Sequence, residues 1–111
     1  SEDFAEFVKN LAMHIAAANP IGVEQDDIPL EIADRERAIY MAQARESGKP
    51  ENILEKMVEG KMRKFYEEAV LLEQKYVKDP DKTIRDYLNE LVAKIGEKII
   101  IRRFARFQLG M

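Results

Sequence analysis

Residues 30–69 carry the pattern that decides the fold, and they read LEIADRERAIYMAQARESGKPENILEKMVEGKMRKFYEEA. Apolar side chains recur at three- and four-residue steps in both halves of this stretch, as in two amphipathic helices. Pro29 suits the first turn of the earlier helix, and Ser47–Pro50 combines a helix stop with a turn. Because the connection is so short, helices are expected over residues 30–47 and 51–69, packed as an antiparallel hairpin.

Two further amphipathic helices flank this hairpin in the sequence. The first follows Ser1, a good N-cap residue, covers residues 2–18 and ends at Asn19-Pro20. The second covers residues 82–95 and ends at Gly96, since glycine readily adopts the left-handed conformation of a helix cap. With these four helices, the chain is predicted to be mostly α-helical.

Length and composition limit the functions that the chain can have. Its 111 residues suffice for one domain, here taken as residues 1–111. Lys and Arg number 18 against 21 Asp and Glu, which argues against a nucleic-acid partner. There is no cysteine and a single histidine, so neither a metal site, a cofactor nor covalent catalysis is expected. No apolar stretch is long enough to span a membrane, and a cytoplasmic location is expected.

The hydrophobic period changes after Gly96. Over residues 97–109 mostly apolar side chains alternate, which predicts a β-strand. No second run matches it well, and residues 71–77 are the only candidate. The predicted fold class is therefore α+β, mostly helical, with a C-terminal strand in a small antiparallel sheet that another chain or a missing segment completes. The residues assigned to this sheet or dimer edge are Ile99, Ile101, Phe104, Phe107 and Leu109.

Four stretches resemble, in the same order, the C-terminal dimerisation domain of elongation factor Ts. They are LAMHIAAANP at 11–20, SGKPENILEKMVEGKMRKF at 47–65, LLEQKYVKD at 71–79 and IGEKIIIRRFARFQLG at 95–110. The resemblance implies a three-stranded antiparallel sheet under helices, and a part in the guanine-nucleotide exchange factor for elongation factor Tu.

The chain departs from the family pattern upstream of LAMHIAAANP. The family's first two strands, its Thr-Asp-Phe-Val motif and its opening helical module would precede that helix, so we interpret the chain as a fragment. Lys75 also stands where the family usually has proline. If two strands of the sheet lie outside the chain, its edge is expected to pair with another copy, and a homodimer is predicted.

The resemblance also implies contact residues for elongation factor Tu, namely His14, Ile95 and Gly96. From the residues alone, His14 lies about 80° from the centre of the apolar stripe of its helix, where a half-buried structural histidine is the ordinary interpretation. Ile95-Gly96 could equally be a simple helix stop. The cluster Lys98, Arg102, Arg103 and Arg106 is more typical of a solvated or protein-binding face than of an RNA site.

An exchange factor needs no covalent chemistry, which agrees with the scarcity of catalytic side chains. The chain is accordingly expected to serve mainly in docking and dimerisation, and not to be an enzyme. The alternative is a helical adaptor or scaffold that holds some other protein through its unpaired strand edge.

Overall fold

The computed structural model describes residues 1–96 and 98–104 of the chain. Within these residues there are four α-helices, two short 3₁₀ turns at Gln25–Asp27 and Leu71–Glu73, and one two-stranded antiparallel sheet. The helices are α1 (Glu2–Ala18), α2 (Leu30–Arg45), α3 (Glu51–Ala69) and α4 (Ile84–Ile95), and the strands are β1 (Lys75–Tyr76) and β2 (Asp79–Thr83). The mostly helical α+β class is confirmed. Helices α1 and α3 have the predicted bounds. Helix α2 ends two residues earlier than predicted, and α4 begins two residues later.

Helices α2 and α3 form the predicted hairpin and share an apolar core of their own. Its buried residues are Ala44, Leu54, Val58 and Met62, and Tyr40, Phe65 and Tyr66 are among the partly buried side chains that pack around them. On the exposed surface of the hairpin, Arg37 pairs with Glu59, and the ammonium of Lys61 donates to Oε1 of Gln43. This is the arrangement that the three- and four-residue apolar spacing predicts.

A second core joins α1 and α4 to the β-hairpin and the 3₁₀ turn before it. The buried side chains in this core are Phe7, Ile15, Val23, Leu71, Leu72, Tyr76, Ile84, Leu88 and Leu91. Ile99, Ile101 and Phe104 pack against it and are partly buried. The segment after α4 therefore contributes apolar contacts to this part of the molecule.

The sheet lies elsewhere than predicted. Its two strands pair across a turn at Val77–Lys78, whereas residues 98–104 belong to no strand. A ladder requires a partner for each backbone N–H and C=O, and no described segment supplies one to residues 98–104. The rest of the predicted strand, Glu97 and residues 105–109 with Phe107 and Leu109, lies outside the described residues.

Strand β1 lies within residues 71–77, the one stretch considered as a second strand, whereas β2 was missed because its sequence resembles a turn. Pro80 lies within β2 and has no N–H to donate, which is tolerated in an edge strand. With only two strands in this sheet, both β1 and β2 are edges. Residues 78–81 are typical of a turn, and the structure keeps Lys78 in the turn while Asp79–Asp81 belong to β2.

The predicted stop at Gly96 is confirmed. Gly96 has φ of 72°, in the left-handed region, and its N–H donates to the carbonyl of Val92 at 2.9 Å. At the other end of α4, Thr83 accepts from the backbone N–H of Asp86, whose carboxylate accepts from the Thr83 N–H. This capping box satisfies otherwise free donors.

In the part of the chain that the structure covers, no helix combines the length and hydropathy needed to cross a bilayer.

Candidate protein-binding site

His14 is completely buried, although the sequence placed it at a half-exposed edge of α1. The difference arises because the β-hairpin packs over that edge. The imidazole lies beside the ring of Tyr76, with 6.0 Å between ring centroids. In this arrangement the His14 side chain is enclosed by its own chain and presents no surface to solvent.

Both ring nitrogens of His14 have hydrogen-bond partners. The backbone N–H of Val77 donates to Nδ1 at 3.2 Å, and Nε2 lies 2.8 Å from Oε1 of Gln74. Because a backbone N–H can only donate, Nδ1 must be the acceptor. The network therefore assigns the neutral tautomer with the proton on Nε2, which donates to Gln74.

Gln74 is buried and joins two helix ends. Its Nε2 donates to the carbonyl of Glu68 at 2.8 Å and to that of Ala18 at 3.3 Å. These carbonyls belong to the last turns of α3 and α1, where no basic side chain is present. The amide thus satisfies acceptors that helix C-termini leave free, and it fixes its own Oε1 toward His14.

Burial also controls the charge of His14. It lowers the pKa of the imidazole below its usual 6.5, an effect that the hydrogen bond to Gln74 opposes. Protonation would additionally place a hydrogen on Nδ1, directly facing the N–H of Val77. The neutral form is therefore the one that fits this site.

A second polar side chain of α1 contacts the same turn. Asn10, one helical turn before His14, accepts from the ammonium of Lys78 at 2.8 Å and donates to the hydroxyl of Tyr87 at 3.1 Å. The Tyr87 ring stacks on Tyr76, with centroids 4.6 Å apart and an interplanar angle of 13°. Burial is the main cause that raises the pKa of Tyr76 to about 12, and the neighbouring Tyr87 is the second cause.

We call Asn10, His14 and Gln74 the polar clamp.

Two half-exposed apolar residues are linked to His14, one by sequence and one by a hydrogen bond. Met13 precedes it on α1, and Val77 is joined to it by the backbone hydrogen bond. Each is 48% exposed. The combination of a buried polar clamp and exposed apolar neighbours distinguishes this place in the fold.

The other predicted contact residues lie at the opposite end of α1. Ile95 is partly buried and lines a shallow cleft with Phe4 and Ile99, and Gly96 is exposed. Phe4 and His14 are ten residues apart on α1, which is about 15 Å along a helix. The structure therefore does not bring His14 together with Ile95 and Gly96 in one cluster.

The basic residues after α4 were expected to form a solvated or protein-binding face. Lys98, Arg102 and Arg103 are exposed, and Arg106 is outside the described residues. Across residues 1–96 and 98–104, no group of three or more His, Asp or Glu could hold a metal ion. Every buried side-chain nitrogen and oxygen in the same ranges has a hydrogen-bond partner.

The sequence did not reveal most of the clamp. Asn10, Gln74 and Val77 were not singled out, because each is an ordinary residue within its own segment. One signal was available, since Asn10 and His14 are four residues apart and therefore share a helix face. Their convergence with Gln74 depends on contacts over 60 residues or more along the chain.

Taken together, these features define a mostly helical α+β domain with a buried polar cluster between α1 and the β-hairpin. A family model described as Elongation factor TS matches residues 1–110. The elongation factor Ts of Syntrophobacter fumaroxidans is 76% identical over 110 residues, which is 99% of this chain and 55% of the relative. Those of Desulfosudis oleivorans and Desulfotalea psychrophila are 58% and 60% identical, again over 99% of this chain and 56% of each relative.

The chain belongs to the elongation factor Ts family, as the four quoted stretches indicated. It spans about half the length of the curated relatives that it matches.

Proposed function

We propose that this chain is part of the guanine-nucleotide exchange factor for elongation factor Tu and acts in the cytoplasm. It would promote GDP release by protein–protein binding, without covalent chemistry. The observation that carries the proposal is the family match, which extends over residues 1–110.

The proposed mechanism is thermodynamic linkage. An exchange factor binds the nucleotide-free partner more tightly than the GDP-bound partner. By linkage, GDP must lower the affinity of the partner for the factor by the same ratio. Coupling free energies of this kind are typically about 1–3 kcal/mol. The factor therefore needs complementary surfaces, and a nucleophile or a general base would add nothing.

Within such a factor, this chain would serve mainly in docking and dimerisation. Its sequence contains no Thr-Asp-Phe-Val motif, the element that the family resemblance assigns to disturbing the nucleotide site. For docking we propose the surface around His14 together with Ile95 and Gly96. The exposure of Met13, Val77 and Gly96 supports this assignment.

The proposed dimer or sheet edge is the segment after α4. Ile99, Ile101 and Phe104 are only partly buried, and Ile100 is 57% exposed. Phe107 and Leu109 complete the proposed edge, outside the described residues. An apolar segment without a ladder partner among residues 1–96 and 98–104 favours pairing with a second copy. Sedimentation equilibrium at high micromolar concentration should give a dimer mass, and a well-folded monomer would contradict the dimer.

Stopped-flow release of a fluorescent GDP analogue tests the proposed function. Elongation factor Tu loaded with the analogue is mixed with this chain or, as a control, with a full-length relative. We expect measurable but weak binding and little acceleration by this chain. Acceleration equal to that of the full-length relative would contradict the restriction to docking, and absence of binding would contradict the family-based partner.

A further inference from the structure

We propose that the α2–α3 hairpin has a second apolar face, apart from the one that packs its two helices together, and that this face binds the same face of another copy of the chain. The pairing gives a four-helix bundle in which α2 of each copy packs against α3 of the other. This surface is separate from the proposed docking surface and from the segment after α4, so it goes beyond the proposed function.

One stripe of exposed or partly buried residues runs along each helix of the hairpin. The members of each stripe follow one another at steps of four, three and four residues, which places them on one face of their helix. They are Ile32, Glu36, Ile39 and Gln43 on α2, and Ile53, Met57, Gly60 and Lys64 on α3. We call the two stripes together the hairpin face.

Lys61 shows that both stripes lie on the same side of the hairpin. It follows Met57 by one helical turn on α3, and its ammonium donates to Oε1 of Gln43 on α2 at 3.1 Å. The same ammonium lies 5.7 Å from the centroid of the Tyr40 ring. The Lys61 side chain therefore crosses from one stripe to the other, and the two stripes form a single surface.

The centre of the hairpin face is apolar and uncovered by the rest of the described chain. Ile39 is 44% exposed and Ile53 is 39% exposed, and Met57 between them is partly buried. Removing such side chains from water is favourable, so an apolar strip between polar edges favours association. The hairpin face is thus suited to receive another pair of amphipathic helices.

Gly60 lets another helix approach α3 closely. It lies within the helix, and a Cβ added to it would meet none of the described atoms within 4 Å, so packing within the chain does not require a glycine there. A glycine inside a helix is less favourable than alanine, but its bare backbone can receive a side chain from a facing helix. Ile39 and Gly60 are each about 15 Å from the connecting turn along their helices. Ile39 of one copy therefore meets Gly60 of the other when the copies pair with their turns side by side.

The charges at the edges of the hairpin face favour a second copy as the occupant. Glu36 lies on the α2 edge and Lys64 on the α3 edge, and neither makes an ion pair with any residue in the ranges 1–96 and 98–104. Each is about 20 Å from the connecting turn along its helix. Around a two-fold axis, Glu36 of each copy is then level with Lys64 of the other, and the attraction occurs twice. All neighbouring helices are antiparallel in this arrangement, as in an up-down four-helix bundle.

The pairing is expected to be weak. Few apolar side chains form its centre, and association must offset the loss of translational and rotational freedom. We expect a dissociation constant of about 1 mM. At high micromolar concentration the mass of the protein is then still determined by the proposed edge after α4.

Disulfide cross-linking tests the contact between copies, because the chain has no cysteine of its own. Ile39→Cys and Gly60→Cys are prepared as separate proteins, mixed at about 1 mM and oxidised, so a mixed disulfide can join only two different copies. The matched control replaces Ile39→Cys by Ala38→Cys, since Ala38 is exposed on α2 but lies outside the stripe. We expect the mixed disulfide with Ile39→Cys to form at least about fivefold faster than with the control.

Amide chemical shifts measured on dilution from about 2 mM to about 0.1 mM identify the surface residue by residue. The signals of Ile39 and Ile53 should move with concentration. Gly60→Gln, which places a side chain where the second copy approaches, should weaken the pairing about tenfold, whereas Ala38→Gln should leave it within about twofold. Gly60→Gln should not lower the melting temperature, because glutamine is a better helix former than glycine.

Equal rates of cross-linking for Ile39→Cys and Ala38→Cys would overturn the inference, as would concentration-dependent shifts that Gly60→Gln leaves unchanged. Shifts confined to residues 98–104 would show pairing through the segment after α4 alone and would also overturn it. Neither measurement contains elongation factor Tu, so both outcomes are independent of the proposed function.

Discussion

The α2–α3 hairpin is held together by apolar side chains that are close in sequence, whereas the β-hairpin is fastened to α1 by buried polar side chains that are distant in sequence. The hairpin core lies within residues 44–62, on two helices with a short connection. The clamp joins His14 to Gln74 across 60 residues. Apolar contacts tolerate approximate geometry, while buried hydrogen bonds demand a particular one. The first region is thus built for stability and the second for placing a turn.

The largest effect is expected in the core beneath the β-hairpin. Leu71 is completely buried, so Leu71→Ala should lower the free energy of unfolding by about 3 kcal/mol through lost burial and a cavity. Leu30, at the start of the α2–α3 hairpin, is 74% exposed. Leu30→Ala should therefore change the free energy of unfolding by less than about 0.5 kcal/mol. Urea denaturation of both variants measures the difference, and equal losses would contradict the assigned burial.

The next largest loss of stability is expected at Gln74 of the polar clamp, with Gln43 of the α2–α3 hairpin as its comparison. Gln74→Ala should cost about 2 kcal/mol, because the carbonyls of Ala18 and Glu68 and the Nε2–H of His14 lose their partner. Gln43→Ala removes only an exposed contact with Lys61 and should cost less than about 0.5 kcal/mol. Chemical denaturation decides this pair, and a Gln74→Ala variant as stable as Gln43→Ala would argue against a clamp.

Acid should affect the polar clamp before the helical hairpin. The pKa of folded His14 is lowered below 6.5, so the unfolded chain binds more protons than the folded chain between these two values. The His14 contribution to stability is complete above about pH 6.5 and declines as the pH falls toward the folded pKa, by at most about 1.4 kcal/mol per pH unit.

Unfolding of the wild type and of His14→Asn, measured from about pH 7.5 to pH 5, isolates this contribution. The difference between the two should shrink as the pH falls. A constant difference across the range would show that His14 has the same pKa in both states.

The smallest effect is a gain of stability in the α2–α3 hairpin. Gly60 lies within α3, and a Cβ added there would meet nothing within 4 Å. Gly60→Ala should therefore raise the free energy of unfolding by about 0.5–1 kcal/mol through helix propensity. Gly48, with φ of 70°, is the control, since alanine there is strained and should destabilise. Thermal melts of both variants measure the expected gain and the expected loss of stability. A destabilising Gly60→Ala would show that another group contacts α3 at Gly60.

Much of the secondary structure could be predicted from the sequence. The bounds of α1 and α3 follow from Ser1, the Asn19-Pro20 stop, Pro50 and the apolar spacing, because helix ends are determined by neighbouring residues. The sheet could not be predicted in the same way. Its strands are short, Pro80 favours a turn, and strand pairing depends on which segments meet in space.

The candidate site was predicted only in part. His14 was recognised, but its burial was underestimated because the periodicity of α1 says nothing about what covers the edge of its apolar stripe. Gln74 and Val77 acquire their roles only when the β-hairpin packs against α1.

The sequence by itself determined the helices, the α2–α3 hairpin and the family, since each depends on residues near one another in the chain or on motifs in order. Only the tertiary structure decided where the strands pair, that His14 is buried, and that the polar clamp binds the backbone of the half-exposed Val77. The physical reason is that hydrophobic periodicity is a local property, whereas a buried hydrogen bond requires two distant groups to meet within about 3 Å in a fixed orientation.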